Sequence, residues 1–374
     1  MVDSDYSQRC IFKNTVWRPA QNPYVLTGDY QVAIGVTLTI LPGTTVIYND
    51  DFQLLVEGTL LINGISSKPV IFLGNKAGSK TMISFKNTNL SQSLIVNCQF
   101  EGPKSAVSLQ SGIIGNLSLN NILLNNSNMQ GNGYLGSLTI DNADIVNSAV
   151  SGAIVINKST ITSSTFATIT FQIDSTIITD SNVNTNYNSP GSALIQNSKL
   201  FNLAVAGYGC FNTFSIKYSE ATGLNIKLDY SQLQLLSTRI QNNNNETISS
   251  SRVNISCSNI SGNNQQIGFR ITGIPYYYPA SSIVQSSISN FSIGIQFSDS
   301  YANLTVNNSN FFRNSQYNIQ NISPKNVLAE NNWWGAADST CEIKRKIYGY
   351  YQNIELGQVL FEPFSATRIP NNQC

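Results

Sequence analysis

Leu138–Ile178 reads LTIDNADIVNSAVSGAIVINKSTITSSTFATITFQIDSTII, and the fold turns on this stretch. The pairs Leu138/Ile140, Ile154/Ile156 and Phe171/Ile173 each straddle one residue. A spacing of two is the pleat of a half-buried strand; a helix would repeat every three to four positions. Each pair runs into a polar corner, at Asp141, Asn157 and Asp174, and then into a second short apolar stretch at Ile145, Ile161 and Ile178. One such unit cannot bury its apolar side alone, whereas stacked units share a continuous core.

Working outward, the corner residues extend into one column: Asn97, Asn120, Asp141, Asn157, Asp174, Asn197, Lys217, Leu236, Ser256, Ser286, Asn307 and Glu330. Their mean spacing is about 21 residues, within the range of solenoid repeats. The position three before each is always apolar, Leu94 and Leu194 included. The position one before is mostly apolar, with Gln196 and Gln285 as exceptions. The position four after is apolar from Leu124 through Phe201 to Trp334, with Glu101 and Asn290 as misses. The pattern predicts an all-β chain, a single-stranded parallel β-helix of roughly fifteen coils. A leucine-rich horseshoe would put helical segments between the strands, where this chain has Ser/Asn-rich turns and β-branched residues. The expected domains are an arm and cap over 1–30, the β-helix over 31–335 and a C-terminal cap or tail over 336–374.

Composition narrows the functional classes. Charged residues make up 11% of the 374, the net charge is +1, and histidine is absent. Without histidine there is no Ser-His-Asp triad and no His-ligated zinc. The charge balance carries no cationic footprint for nucleic acid, and no apolar run reaches the roughly 20 residues that span a bilayer. The reading therefore expects no nucleic-acid partner, no membrane span, no cofactor and no metal. The apolar fraction of 41%, regularly spaced, argues against disorder despite the abundance of Asn, Ser and Thr. The polar N-terminal residues show no signal peptide, so the chain is either cytosolic or numbered after its removal.

Both ends carry more specific patterns. LTILPGTTV, LLVEGTLLINGISSKPVIF, NNWWG and GQVLFEPF resemble the opening and closing coils of secreted or surface right-handed parallel β-helix repeat proteins, in the pectate-lyase-like solenoid superfamily. The resemblance covers about 45 residues at each end and is repeat-level between them. It implies right-handedness, an extracellular or cell-surface location and, since the catalytic signatures of the lyases are not recognisable, the non-catalytic branch. Trp334 falls in the apolar column, so it is expected to point inward in the last coil and cover the open core end. Trp333, on the other phase, is left accessible as part of the cap or as a ligand platform.

Cys341 and Cys374 flank the terminal segment and are expected to bond and pin it. Cys98 and Cys257 lie too many coils apart to bond. Asn-x-Ser/Thr triplets fall at Asn89, Asn116, Asn125, Asn157, Asn245, Asn254, Asn259, Asn290, Asn303, Asn307 and Asn321. With 48 Asn in the chain their number is no sign of sugar, but in a secreted protein they are candidate acceptors. Tyr276, Tyr277 and Tyr278, between prolines, are expected to form a loop that contacts glycan or partner, or lies down over the solenoid wall. Tyr348, Tyr350 and Tyr351 pose the same choice.

Hydrolysis of a glycoside needs two facing carboxylates. Asp141 with Asp174 (one column, with Asn157 between them), Asp141 with Asp144, and Asp174 with Asp180 are the candidates by spacing, each read first as a corner residue; Asp50 and Asp51 lie in a turn of the N-terminal coils. Arg239, Arg252 and Arg270 are the candidate lyase bases, accompanied only by Glu246. The functional expectation is a non-catalytic extracellular or surface structural or adhesive element, in its sharper form a glycoprotein that self-associates head-to-tail into fibres. The rival is a polysaccharide lyase, a hydrolase or a carbohydrate-binding module, with surface glycans as partner.

Overall fold

The computed structural model describes residues 9–370 apart from 111–112, 131–135, 185–191, 243–246, 265, 274–279 and 336–338, and gives no side-chain account of 136, 168–170 and 208–212. The chain divides into two units, Met1–Ile177 and Ile178–Cys374. Each is a parallel β-solenoid, and together they carry about 13 turns rather than fifteen.

In the N-terminal unit the described ladder starts with β1 (Arg9–Ile11), β2 (Thr15–Trp17) and β3 (Tyr24–Leu26). Each pairs in parallel with the strand one coil on, as in Arg9 with Tyr30, Thr15 with Leu38 and Tyr24 with Val46. The period-two pattern of the sequence becomes burial: in Thr37–Ile40 and Thr45–Tyr48 alternate residues point inward. Leu38, Ile40, Val46 and Tyr48 are fully buried, and at about 1.5–3 kcal/mol for each large apolar side chain removed from water this burial is what closes the coils. Phe72 stacks on Phe100 with ring centroids 5.2 Å apart. Among the described residues no helix is long and apolar enough to cross a membrane.

The corners explain the abundance of short polar residues. The residue after the long strand takes the left-handed conformation: Asn97, Asn121, Asn142, Lys158 and Ser175 in the first unit, and Asn197, Tyr218, Ser237, Cys257, Gln285, Asn308 and Asn331 in the second, all with φ between 47° and 59°. Asn tolerates this region better than other non-glycine residues. From Lys158 to Asn308 in that series, the next residue carries a buried hydroxyl that faces into the core: Ser159, Thr176, Ser198, Ser219, Thr238, Ser258, Ser286 or Ser309. In the second unit, Thr238 N donates to Ser258 Oγ (3.2 Å), Ser258 N to Ser286 Oγ (3.1 Å) and Ser286 N to Ser309 Oγ (3.2 Å). Ser258, Ser286 and Ser309 Oγ in turn donate to the carbonyl two residues earlier. The ladder ends on Asn332, whose Oδ1 accepts from Ser309 N at 2.8 Å. Each hydroxyl satisfies two backbone groups that the corner would otherwise bury unpaired, a penalty of about 1–3 kcal/mol per group.

The register corrects the sequence column at three places. Asn120 pairs with Val96, not Asn97; Lys217 pairs with Gln196, not Asn197; Asn307 pairs with Val284, not Ser286. Asn97 and Asn197 are the left-handed residues themselves, whereas Asn120 and Asn157 precede theirs. A one-residue slip sends side chains to the opposite face. Leu94 and Phe201 are accordingly exposed, at 37% and 41%, and Leu194 is only half-buried. Their places inside are taken by the buried Ser93, Leu200 and Ala193. The same correction replaces the misses Glu101 and Asn290 with the fully buried Phe100 and Ile288.

Candidate functional site

The C-terminal unit ends in a cleft of about 760 Å³. Its floor comes from the strand Asn310–Phe312 and the following coil, where Asn310 bridges in parallel to Trp333. Phe311 and Trp334 point inward and stack, with centroids 5.1 Å apart and planes at 15°. Phe312 and Trp333, one position away, face outward with centroids 5.9 Å apart. Trp334 is buried, at 3% exposed, as the apolar column requires. It does not close the solenoid by itself. Phe361 meets it edge-on at 6.2 Å, and two further short strands, Ile347–Tyr348 and Val359–Leu360, extend the ladder past it.

The walls are cationic. Arg313 takes a left-handed corner conformation, φ 55°, and is exposed. The single α-helix among the described residues, α1 (Thr340–Arg345), is capped by Ser339, whose hydroxyl accepts from Glu342 N at 3.3 Å. It sets Arg345 and Glu342 on the cleft. Lys346 follows and donates to Asn314 O (3.1 Å) and Ser315 O (2.9 Å), locking the helix end onto the corner. The remaining wall is the chain's last described segment. Asn310 uses its side-chain amide like a strand edge: Nδ2 donates to Ile369 O and Ile369 N donates to Oδ1, both at 2.8 Å. This holds Arg368 with its guanidinium 4.8 Å from the Phe312 ring centroid, a cation–π contact. Among the described residues Arg313, Arg345 and Arg368 make no ion pair; the three ion pairs found all lie in the N-terminal unit.

Those three pairs tie down the segment after Gly74. Lys76 meets Asp50, Lys80 meets Asp29 and Lys104 meets Asp51, each at 2.8 Å. Lys104 is fully buried, and Asp51 also accepts from Ser79 N, Ser79 Oγ and Lys80 N. The Lys104 ammonium foremost, with those donors, holds the Asp51 carboxyl well below the usual carboxylate range. Lys76 similarly lowers Asp50. Asp50 and Asp51 are thus spent on the fold.

Three of the other four carboxylate candidates are also engaged. Asp141 accepts from Asn157 Nδ2 and Asp180 from Asn202 Nδ2, both at 2.8 Å; Asp174 accepts from Ser175 Oγ at 3.2 Å. Asp144 is exposed. Of the candidate bases, Arg252 is buried and Arg270 Nε donates to Gln296 Oε1 at 2.9 Å. Arg239 has an acidic neighbour that sequence reading missed: Glu220 sits in register between Lys199 and Arg239. Glu246 and Tyr276–Tyr278 lie outside the described residues. Among the described residues no three His, Cys, Asp or Glu side chains converge to hold a metal ion.

Cys341 is an exposed free thiol, so the expected bond to Cys374 is not formed; Cys341 is taken up in α1, and Cys374 lies outside the described residues. Cys98 is free and fully buried, and desolvation raises its thiol well above the ordinary range. Among the sequon asparagines, Asn89, Asn254, Asn259 and Asn303 are exposed. Asn116, Asn125, Asn157, Asn290 and Asn307 are half-buried on the coils, and Asn245 lies outside the described residues. Asn321 is corrected: it is fully buried, its Nδ2 donates to Lys325 O and Gly357 O at 2.9 Å, and its Oδ1 accepts from Ser323 N at 3.0 Å. That side chain has no room for a sugar.

No family model matches the sequence, and no curated protein matches it. Among solved structures the chain is similar to the PL6 family polysaccharide lyase Pedsa3628 from Pseudopedobacter saltans, at 10% identity over 88% of each chain, with a TM-score of 0.36. A likeness at that level carries nothing about activity. The fold itself, a parallel β-solenoid, stands on the strand register above.

Proposed function

We propose that this chain is a non-catalytic extracellular or cell-surface β-solenoid that acts as a structural or adhesive element, holding partners rather than transforming them. One observation carries the reading: all but one of the six candidate carboxylates are bound into corner hydrogen bonds and ion pairs, the exposed Asp144 then facing only the bound Asp141, while the C-terminal cleft converges cations and aromatic rings on a single carboxylate, Glu342. Glycoside hydrolysis needs two carboxyl groups about 5–9 Å apart across the bond. Incubation with acidic and neutral polysaccharides, scored for unsaturated products and new reducing ends, is expected to give neither. Turnover above background sinks the reading and installs the enzyme alternative.

Two finer elements belong with it. Exposed Asn89, Asn254, Asn259 and Asn303 are the acceptors we assign if the chain is secreted through a glycosylating compartment; intact mass before and after glycosidase treatment reads their occupancy. For head-to-tail assembly, the first described coils expose Phe12 (78%) and Ile34 (74%), and the terminal segment exposes Ile354 (80%). Sedimentation at rising concentration is expected to show oligomers; a monomer at every concentration removes the fibre.

A further inference from the structure

The adhesive reading leaves open what the C-terminal cleft holds, and this inference rests on that reading. We infer that the cleft formed by Phe312, Trp333, Arg313, Arg345 and Arg368 is a binding site for an anionic saccharide, a sugar ring carrying carboxylate or sulfate.

Three features combine. Arg313, Arg345 and Arg368 come from a corner, a helix end and the last described segment, and none of them has an ion-pair partner among the described residues. Guanidinium groups recognise carboxylate and sulfate through paired, charge-assisted hydrogen bonds, and several aimed at one cavity repel one another unless an anion enters. The floor is aromatic: Trp333 and Phe312 turn outward on the solenoid while their neighbours Trp334 and Phe311 fill the core. With Arg368 over the Phe312 ring, Trp333 is the face left to accept the apolar C–H face of a pyranose, its amphipathic indole suited to a wet site. The walls are also built rather than incidental. Asn310 clamps the Ile369 backbone through two hydrogen bonds, and Lys346 clamps the corner carbonyls, so the cations sit on fixed backbone. At about 760 Å³ the cleft lies within the roughly 300–1,000 Å³ of small-molecule sites. It is too small for a single-stranded nucleic acid, which occupies about 4–16 nucleotides per site.

Glu342 is the one acid among the residues lining the cleft. It sets a polarity within the cleft, disfavouring an anion at the α1 end and leaving the Arg313–Arg368 side for the charged substituent. Arg345 then reaches a second group on the same or the next ring.

The test is calorimetric titration of the full chain with a sulfated glycosaminoglycan tetrasaccharide, a tetra-uronate of equal length, a neutral tetraglucoside and inorganic polyphosphate. Binding by either charged sugar, weakened by added salt and absent for the neutral one, is expected; which charged sugar binds identifies the anion. Arg313→Asn keeps a residue that accepts the left-handed backbone while removing the charge. Combined with Arg345→Gln, it is expected to weaken binding by roughly tenfold or more, with the unfolding temperature unchanged. Trp333→Leu is expected to weaken the sugars but not polyphosphate. A Lys76→Gln control in the other unit is expected to bind as the parent does. Equal binding of the neutral sugar, tighter binding of polyphosphate than of any sugar, no binding at all, or an Arg313→Asn/Arg345→Gln variant that binds as the parent does would each overturn the site. None of these outcomes touches the non-catalytic reading, which is lost only through turnover.

Discussion

Lys104 and Arg313 are both cations carried on turns of a solenoid, yet Lys104 lies wholly buried against Asp51, whereas Arg313 is exposed and has no carboxylate in reach among the described residues. The contrast extends to their surroundings. Around Lys104, three charge pairs form: Asp29 with Lys80, Asp50 with Lys76, Asp51 with Lys104. Around Arg313, three guanidiniums and a tied-down lysine face aromatic rings and one glutamate. Matched charges inside a fold serve the fold, because an unmatched buried charge is too costly to keep. Unmatched cations held at a solvent-accessible cleft cost the fold little and offer their attraction to something outside it.

The comparison breaks most visibly at Asp51. Asp51→Asn leaves the buried Lys104 ammonium facing a neutral amide. The expected loss is about 3 kcal/mol, the lower end of what breaking a buried pair costs, because the Asp51 side chain keeps 34% of its exposure. Chemical denaturation midpoints measure it; a loss within experimental error would make the pair ornamental. A second measurement follows from the same carboxyl. Its folded pKa is depressed by Lys104, so its contribution is complete above the ordinary carboxylate range, about pH 4, and drains away as pH falls toward the folded value. The parent is therefore expected to lose stability below about pH 4 with a steeper slope than Asp51→Asn. Parallel slopes contradict the assignment.

Smaller effects sharpen the contrast. Ser258→Ala removes the acceptor of Thr238 N and the donor to Ser256 O, and about 1–3 kcal/mol of destabilisation is expected. Lys76→Gln breaks an exposed pair, with side chains 60% and 54% accessible, and is expected to leave the denaturation midpoint close to that of the parent, because solvent screens such pairs. Arg313→Asn/Arg345→Gln is expected to leave stability within about 0.5 kcal/mol, since no fold contact of either guanidinium is lost. If that variant unfolds as easily as Asp51→Asn, the cleft cations belong to the fold and the two regions are alike.

The solenoid was legible because its signal is local and repeated. Leu138/Ile140, Ile154/Ile156 and Phe171/Ile173 announce the pleat, and twelve repeats average out errors. Register was less legible, because like residues were aligned where like conformations were needed. The asparagine at 97 or 197 is itself the left-handed residue, but the one at 120 or 157 precedes it. A better marker was present: the small hydroxyl after the left-handed corner, as in Ser159, Ser198, Ser219 and Ser258, which recurs because the corner backbone needs a buried partner. Trp334 was readable as an inward residue by the same period, though not Phe361, which arrives from beyond the last repeat to cover it. The cleft was not legible. Arg313, Arg345 and Arg368 lie on three segments with no shared period, brought together by the fold-back that Asn310 clamps. No spacing in the chain encodes a contact of that kind. The Cys341–Cys374 pairing rested on a related kind of inference, since flanking a segment in sequence carries no distance between thiols; the structure leaves Cys341 free.

The division between charges that serve the fold and charges that serve a ligand is tested most directly by thermal unfolding of the parent and Arg313→Asn/Arg345→Gln, each with and without the charged tetrasaccharide that binds. A ligand that binds only the folded chain raises its unfolding temperature. The account predicts equal midpoints for the two proteins alone, and a ligand-induced rise in the parent that the variant lacks. A variant already destabilised without ligand, or one stabilised by the sugar as much as the parent is, contradicts it.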